Sequence, residues 1–325
     1  MELNKVHHLD WLENGLPDKS VQLIIADPPY FEIKGEFDFI WSSFDEYLKD
    51  VEEWAKECKR ILADNGTLFW YGDDKRIAYA QVIFDKHLSL VNHIVWHKGE
   101  DFMGLNKSEG LRSFAPCTER VLMYSNEVDQ TGLERIKLDM NNFTNLRNYF
   151  KELHEFIGKS KKDMIHKIGQ KVDHAFRYSS TQWDLPTPET YNELNESYAI
   201  ASWSGFREYE DLRREYEDLR REYEDLRRPF SNIYNLNEVM RFNNESAMNT
   251  QYIHPTRKPE KLTRALILTC SRPNDLVFVP FAGSGTECAM AAKEGRQFIG
   301  FDIEAKYVDM ANKRAQTHLS TPTLF

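Results

Sequence analysis

Two short stretches hold residue types able to do chemistry: DPPY at 27–30 and FAGSGT at 281–286. In DPPY, two prolines fix the backbone and remove two N–H donors, which leaves carbonyl oxygens without internal partners. Asp27 precedes Pro28 and Pro29, and Tyr30 follows them. Such a loop accepts hydrogen bonds from an amino group and offers a flat ring for stacking. The plain alternative is a turn made by the two prolines. In FAGSGT, Gly283 and Gly285 let the backbone come close to a ligand, and the helix it opens adds the positive end of its dipole. It is not a Walker loop, because no Gly-Lys-Ser/Thr follows. It also misses the dinucleotide fingerprint, since Cys288 stands where the third glycine belongs. What remains is a binder of nucleosides or carboxylates. Asp302 closes the next apolar run and sets a carboxylate where ribose hydroxyls are gripped in doubly wound sheets.

The elements that must position these loops are readable on both sides. VQLIIAD (21–27), NGTLFWYG (65–72), HIVWHK (93–98) and ERVLMYS (119–125) read as buried strands. SFDEYLKDVEEWAKECKRIL (43–62) carries its apolar residues on one helical face. After about residue 127 the chain turns polar and irregular, and from 255 the alternation resumes. KPEKLTRALILTCS (258–271), GTECAMAAKEG (285–295) and AKYVDMANKRAQ (305–316) read as helices, and DLVFVPF (275–281) and RQFIGFD (296–302) as strands. The expected organisation is an α/β domain split by a long insertion: 1–126, 127–250 inserted, 251–316, and a frayed tail at 317–325. Both loops then end parallel strands on the edge where open α/β sheets bind ligands.

Composition narrows the class. The chain has 325 residues, 41% of them hydrophobic, a net charge of −10 and four cysteines. No run of eighteen apolar residues exists, so no membrane span is expected. The N-terminus has no signal-peptide pattern. Cys58, Cys117, Cys270 and Cys288 form no CxxC pair, so they read as reduced residues of a cytoplasmic protein, with no zinc or other metal site. Cys117 follows a proline but no glycine loop, and reads as packing.

With these residues in place, the chain resembles the S-adenosylmethionine-dependent amino-methyltransferases of DNA. DPPY before FxGxGT is similar to the permuted order of their β class. HPTRKPEKL (254–262) is similar to a segment that lines the family's cofactor site, IGFDIEAKYVDMANKR (299–314) to its ribose-binding strand and helix, and WHK (96–98) to a motif near the target base. The resemblance implies a Rossmann-like sheet, circularly permuted, with a largely helical inserted target-recognition region. It implies S-adenosyl-L-methionine as cofactor, held by Asp10, Lys258, Phe281, Gly283, Ser284, Gly285, Thr286 and Asp302. Asp27, Pro28, Pro29 and Tyr30 become the catalytic residues. An exocyclic amine is a poor nucleophile because its lone pair is delocalised. Asp27 and the Pro28 carbonyl accept its hydrogens as it attacks the methyl, and Tyr30 stacks on a base flipped from the duplex. DPPY implies adenine N6, whereas cytosine-N4 enzymes more often carry SPPY. An RNA amino-methyltransferase and a non-catalytic DNA-binding protein are the other readings. The family implies a bacterial or phage origin and a cognate restriction endonuclease as a partner.

The insertion is the expected reader of double-stranded DNA. Residues 147–177 hold eight lysines and arginines against four acids. A helix-turn-helix over about 153–178 would put 170–178 in the major groove, with Lys161, Lys162, Lys167, Lys171 and Arg177 as DNA contacts. The alternative is a basic surface helix pair. Residues 207–227 repeat REYEDLR three times. Tyr209, Leu212, Tyr216, Leu219, Tyr223 and Leu226 form a coiled-coil seam on a helix over 207–228. The helix reads as an arm that packs its seam within the chain, or on a second subunit in a homodimer.

Overall fold

The computed structural model describes residues 1–33, 38–99, 112, 114, 116–126, 143–180, 182–244 and 257–319. Two compact units are present. One is made from the two ends of the chain, within Met1–Gly132 and Arg228–Phe325, and the other lies within Leu133–Arg227.

The first unit is built on a sheet that has eight strands among the described residues: β1 (Lys5–His8), β2 (Val21–Ala26), β3 (Leu62–Gly72), β4 (Ser89–His97), β5 (Thr118–Ser125), β6 (Val239–Arg241), β7 (Leu276–Val279) and β8 (Gln297–Asp302). Their order is β1-β8-β7-β2-β3-β5-β4-β6. Every neighbouring pair is parallel except the two made by β5, which runs against the rest. Alternation along the central strands buries both faces. Leu23 and Ile25 of β2 face a core with helices α7 (Glu260–Cys270), α8 (Thr286–Lys293) and α9 (Ala305–Leu319). Ile24 and Ala26 face α1 (Phe44–Ile61) and α2 (Ile77–Phe84). Helix α1 starts where the Ser43 hydroxyl accepts the Glu46 N–H at 3.2 Å, and acids open it while Lys59 and Arg60 close it.

The chain crosses to opposite sides of the sheet from its centre. From β7 it passes through α8 to β8 on one side, and from β2 through α1 to β3 on the other. The gap between β7 and β2 is therefore a topological switch point, where open α/β sheets bind ligands.

The second unit is helical: α3 (Thr144–Ile157), α4 (Lys161–Ile168), α5 (Pro188–Tyr198) and α6 (Tyr209–Leu226) close over a core that includes Phe150, Leu153, Met164, Trp183, Leu194 and Leu212. The heptads form α6. Leu212 is fully buried, the Tyr216 hydroxyl donates to Asp184 at 2.8 Å, and the Tyr209 hydroxyl donates to the Pro186 carbonyl at 2.9 Å. The first half of the seam thus packs within its own unit; the side chains of Tyr223 and Leu226 lie outside the described residues. The sequence reading ran the insertion to residue 250, whereas Arg228 onward joins the first unit, where β6 pairs with β4. Helix α9 continues to Leu319, three residues into the expected tail. Residues 320–325 lie outside the described residues.

Candidate active site

Asp27 follows the last residue of β2 and so stands at the switch point. Its Oδ1 accepts two hydrogen bonds, from the Tyr30 hydroxyl at 2.8 Å and from the Lys258 ammonium at 2.7 Å. The loop beyond is pinned by Asp38, a buried residue. Asp38 accepts the Tyr30 N–H on Oδ1 at 2.6 Å and the Glu32 N–H on its carbonyl at 2.8 Å. Tyr30 is 9% exposed, its hydroxyl turned inward onto Asp27.

Lys258 lies just before α7 and its side chain is 3% exposed. Its ammonium also reaches Glu119 Oε2 at 3.2 Å, and Lys98 holds Glu119 Oε1 at 2.5 Å. The rings of Tyr71, Tyr30 and Trp96 lie 5.0, 5.7 and 5.9 Å from the ammonium. Strand direction explains the meeting. Glu119 is near the start of β5, and because β5 is antiparallel its start lies at the edge where β2 and β4 end. Lys98 follows the end of β4.

Burial pushes the Asp27 carboxyl above its usual range, with Lys258 opposing and Glu119 reinforcing the shift. Burial also pushes Glu119 up, but Lys258 and Lys98 outweigh it and hold Glu119 below its usual range. Glu287, the second residue of α8, is pushed up to about 7 by burial and then by the charge of Asp27. The buried Tyr71 hydroxyl has no hydrogen-bond partner among the described residues.

The glycine loop faces this cluster across the switch point, between β7 and α8. Gly283 and Gly285 have φ of 48° and 72°, in the left-handed region. A Cβ on Gly285 would lie 2.5 Å from the Ala311 Cα of α9. The side chains of Ser284 and Thr286 are buried and accept hydrogen bonds from Arg314 of α9. Phe281 packs edge-on against Trp54, at 5.1 Å, and Trp11, at 5.9 Å. The loop thus offers its backbone, and its hydroxyls and ring anchor it. The Gly283 N–H donates to Asp302 Oδ2 at 2.8 Å and the Glu304 N–H to Oδ1 at 2.9 Å, so each carboxylate oxygen keeps a lone pair for another donor. Asp10 is exposed after β1, whose last residue, His8, is in register with Asp302. It caps a short turn by accepting the Leu12 N–H at 3.0 Å. A glycine-lined backbone with two carboxylates on one edge suits a nucleoside with ribose hydroxyls and a positively charged substituent.

Several of the expected site residues have partners within the protein. Lys258, grouped with the cofactor residues, has its ammonium on Asp27 and Glu119. His254, Pro255 and Thr256 of the same segment lie outside the described residues. No α-helix forms over 170–178. Gly169 takes φ 107° and ends α4, and two short 3₁₀ turns follow at Gln170–Val172 and His174–Phe176. The buried Asp173 between them takes Lys161 at 2.9 Å and also Arg177. Lys171 pairs with Glu193 at 2.5 Å, and Lys167 donates to the Ser197 carbonyl at 2.8 Å. Lys162 is exposed. Trp183 folds back onto this element, its indole N–H donating to the Ala175 carbonyl at 3.1 Å.

Sequence reasoning missed Glu119, Glu287, Asp38 and Arg314. The signal for the first two was present: each is the one acid of a largely apolar element, TERVLMYS and TECAMAAK.

Among the described residues there is no group of acids, histidines and cysteines fit to hold a metal, all four cysteines are free, and no helix is long and apolar enough to cross a membrane.

Comparison with known proteins agrees with this geometry. The family model N6_N4_Mtase, described as DNA methylase, matches residues 21–313. The Type II methyltransferase M1.MboII of Moraxella bovis is 26% identical over 318 residues, which cover 96% of this chain and 96% of its own. M.HinfI of Haemophilus influenzae is 26% identical over 332 residues, 96% of this chain and 68% of its own. Among solved structures, TTHA0409 of Thermus thermophilus, complexed with S-adenosyl-L-methionine, superposes with a TM-score of 0.51 at 18% identity, over 97% of this chain and 96% of that one. The cytosine-N4-specific PvuII DNA methyltransferase gives 0.51 at 15% identity, over 95% and 85%. The fold is thus the Rossmann-like α/β sheet of S-adenosylmethionine-dependent methyltransferases.

Proposed function

The chain belongs to the N6/N4 family of DNA methylases, and from that premise we propose that it methylates the exocyclic N6 of an adenine flipped out of duplex DNA. S-adenosyl-L-methionine is the cofactor, and it supplies an electrophilic sulfonium methyl group. The observation that carries the reading is the Asp27 carboxylate at the switch point, opposite the glycine loop, with Tyr30 and Lys258 both bonded to its Oδ1.

The chain's own residues account for the chemistry by position and charge. Gly283 and Gly285 bring backbone against the cofactor, and Asp302 and Asp10 take its hydroxyls and base. Asp27 accepts one hydrogen of the amine and the Pro28 carbonyl accepts the other. This draws charge onto nitrogen and orients its lone pair toward the methyl. Asp27 would take up the proton that the amine gives up on methylation, and burial raises its carboxyl's affinity for that proton. Pro29 stiffens the loop, and Tyr30 offers its ring to the base. Flipping that base costs a few kcal/mol, about the scale of its lost stacking.

The Asp-Pro-Pro-Tyr order supports adenine over cytosine, and the order of the two motifs supports the permuted β class. The second unit is the proposed reader of the target sequence. The Type II relatives extend the proposal to a cytoplasmic restriction-modification role beside a cognate endonuclease.

Nucleoside mass spectrometry of DNA incubated with protein and S-adenosyl-L-methionine tests the reading. N6-methyladenine is expected from the wild type and none from Asp27→Ala, with cofactor binding retained. N4-methylcytosine would overturn the base. No methylated nucleoside on varied duplex DNA, with cofactor bound, would point to an RNA substrate or an idle fold.

A further inference from the structure

Lys258, Glu119 and Lys98 extend the charge of Asp27 into the protein as an alternating row, and each link comes from a different element. The Tyr30 hydroxyl reaches Asp27 at Oδ1, and the Lys258 ammonium pairs with the same oxygen. A carboxylate gripped twice on one oxygen cannot turn, so its second oxygen has a fixed direction. We propose that Lys258 is a positioning residue for Asp27: it keeps the carboxylate ionised and rotated so that Oδ2 is left to the target amine, while Glu119 and Lys98 hold Lys258 in place. The proposal rests on the methylase reading above.

The surroundings show why the lysine is needed. Asp27, 17% exposed, lies among two other carboxyls, the half-buried Glu119 and the buried Glu287, and the buried Tyr30 and Tyr71. Burial and mutual repulsion drive at least one of several close carboxyls to take up a proton. A protonated Asp27 would be a poor acceptor for an amine hydrogen. Lys258 touches two of the three acids, and Lys98 supports the one farther along the row. Three aromatic rings crowd the Lys258 ammonium, so its strong partners are carboxylates rather than bulk water. The rival is a purely structural ion pair, which an apolar side chain of similar volume replaces with little loss.

Two substitutions in the full-length chain separate these readings by shifting Asp27 in opposite directions. Lys258→Met removes the cation, and Glu119→Gln gives Asp27 the lysine undivided and removes a neighbouring negative charge. The Asp27 titration is read by carbon-13 NMR of labelled aspartates, with Asp27→Asn assigning the signal. We expect Lys258→Met to raise the midpoint by about one pH unit or more and Glu119→Gln to lower it. The acid limb of the kcat profile should move the same way. Lys258→Arg, which keeps the charge, should stay near the wild type. Affinity for S-adenosylhomocysteine, by calorimetry, should stay within about threefold, that is within about 0.7 kcal/mol.

An unmoved Asp27 midpoint in Lys258→Met overturns the proposal. So does a loss of about tenfold or more in cofactor affinity with kcat preserved at saturating cofactor, which would return Lys258 to the cofactor site. If Lys258→Met does not fold, Glu119→Gln decides alone, and a midpoint that fails to fall is the overturning result. The titration needs no DNA, so a wild type that methylates nothing would sink the proposed function and leave this test standing.

Discussion

Arg314 donates to the Thr286 hydroxyl at 2.7 Å from behind the glycine loop, and its other guanidinium nitrogen takes Glu260 at 2.7 Å. The same side chain reaches the Ser284 carbonyl at 3.1 Å and is 2% exposed. One buried cation therefore ties α9 to the loop and to the start of α7. The loop's hydroxyls are spent on this anchorage, so the anchor sets the shape of the backbone left for the cofactor.

Arg314→Met keeps most of the volume and removes the charge and its donors. The buried Thr286 hydroxyl then loses its charged donor, and Glu260, whose side chain is 38% exposed, loses one partner and can turn to water, so the cost should be about 1–3 kcal/mol. Thermal unfolding should show that loss, and calorimetry should show S-adenosylhomocysteine binding weakened by about tenfold or more, which is about 1.4 kcal/mol. Full affinity in a destabilised variant would mean that the anchor serves the fold and not the loop.

Gly285→Ala tests the loop from the other side. The residue has φ of 72°, and the added methyl would sit 2.5 Å from a backbone atom of α9. A side chain in left-handed backbone already costs about 1–3 kcal/mol, and the clash adds to it. Since α9 is also held by Arg314, the loop has little room to yield. We expect lost cofactor binding with a folded sheet by circular dichroism. Gly158, also at positive φ, has only the Glu155 carbonyl near its Cβ position, at 4.0 Å, so Gly158→Ala is the control and should bind cofactor normally.

The parts legible in the sequence were those with a local cause. Strands β2, β3 and β7 read clearly because short apolar runs end at Asp-Pro, Tyr-Gly or a glycine loop, and β8 because its apolar run follows a glycine and closes on an acid. DPPY and FAGSGT read clearly because their residue types limit what a backbone there can do. Helix α2 went unseen because IAYAQVIF is apolar nearly all round and shows no helical period. Strand β6 has three residues and gains its identity from pairing with β4. The pairing of Lys258 with Asp27 and Glu119 was not legible for a deeper reason. Glu119 reaches the site only because β5 runs antiparallel, and strand order is a property of the whole sheet that no window of sequence encodes. The expected helix at 170–178 failed on Gly169 and on Asp173, an acid that is buried because two basic side chains close on it.

That buried acid separates two kinds of lysine in the second unit. Hydrogen bonds from Arg177 and Lys161 hold Asp173 down to about 2, below its ordinary 3.8. Its stabilising effect is therefore complete above about pH 4 and fades as the pH falls toward 2. Hydrogen exchange in α3 and α4 should lose protection across that window, and Asp173→Asn should remove the pH dependence while weakening protection at neutral pH. Lys161→Ala should act the same way, as a loss of stability. Lys162→Ala should leave protection intact and lower the slope of log affinity for duplex DNA against log salt by about one. An unchanged slope would remove Lys162 from the proposed DNA contacts.

Among the described side chains of α6, those packed on the core lie in its first two repeats: Leu212 is fully buried, and Tyr216 and Leu219 pack partly against the same core. Leu212→Ala opens a cavity and should cost about 2–5 kcal/mol. Deleting residues 221–227 removes a whole repeat, keeps every one of those contacts and preserves the phase of the seam, while shortening the helix by about 10 Å. Protection of α3 and α5 against hydrogen exchange should then survive the deletion and fall in Leu212→Ala. Methylation should remain measurable in the deleted chain, because an arm tolerates a change of copy number that a core helix does not. Loss of protection on deletion would show that the third repeat is part of the packed core. Intact protection with no turnover would show that the length of the arm sets how the chain engages its DNA.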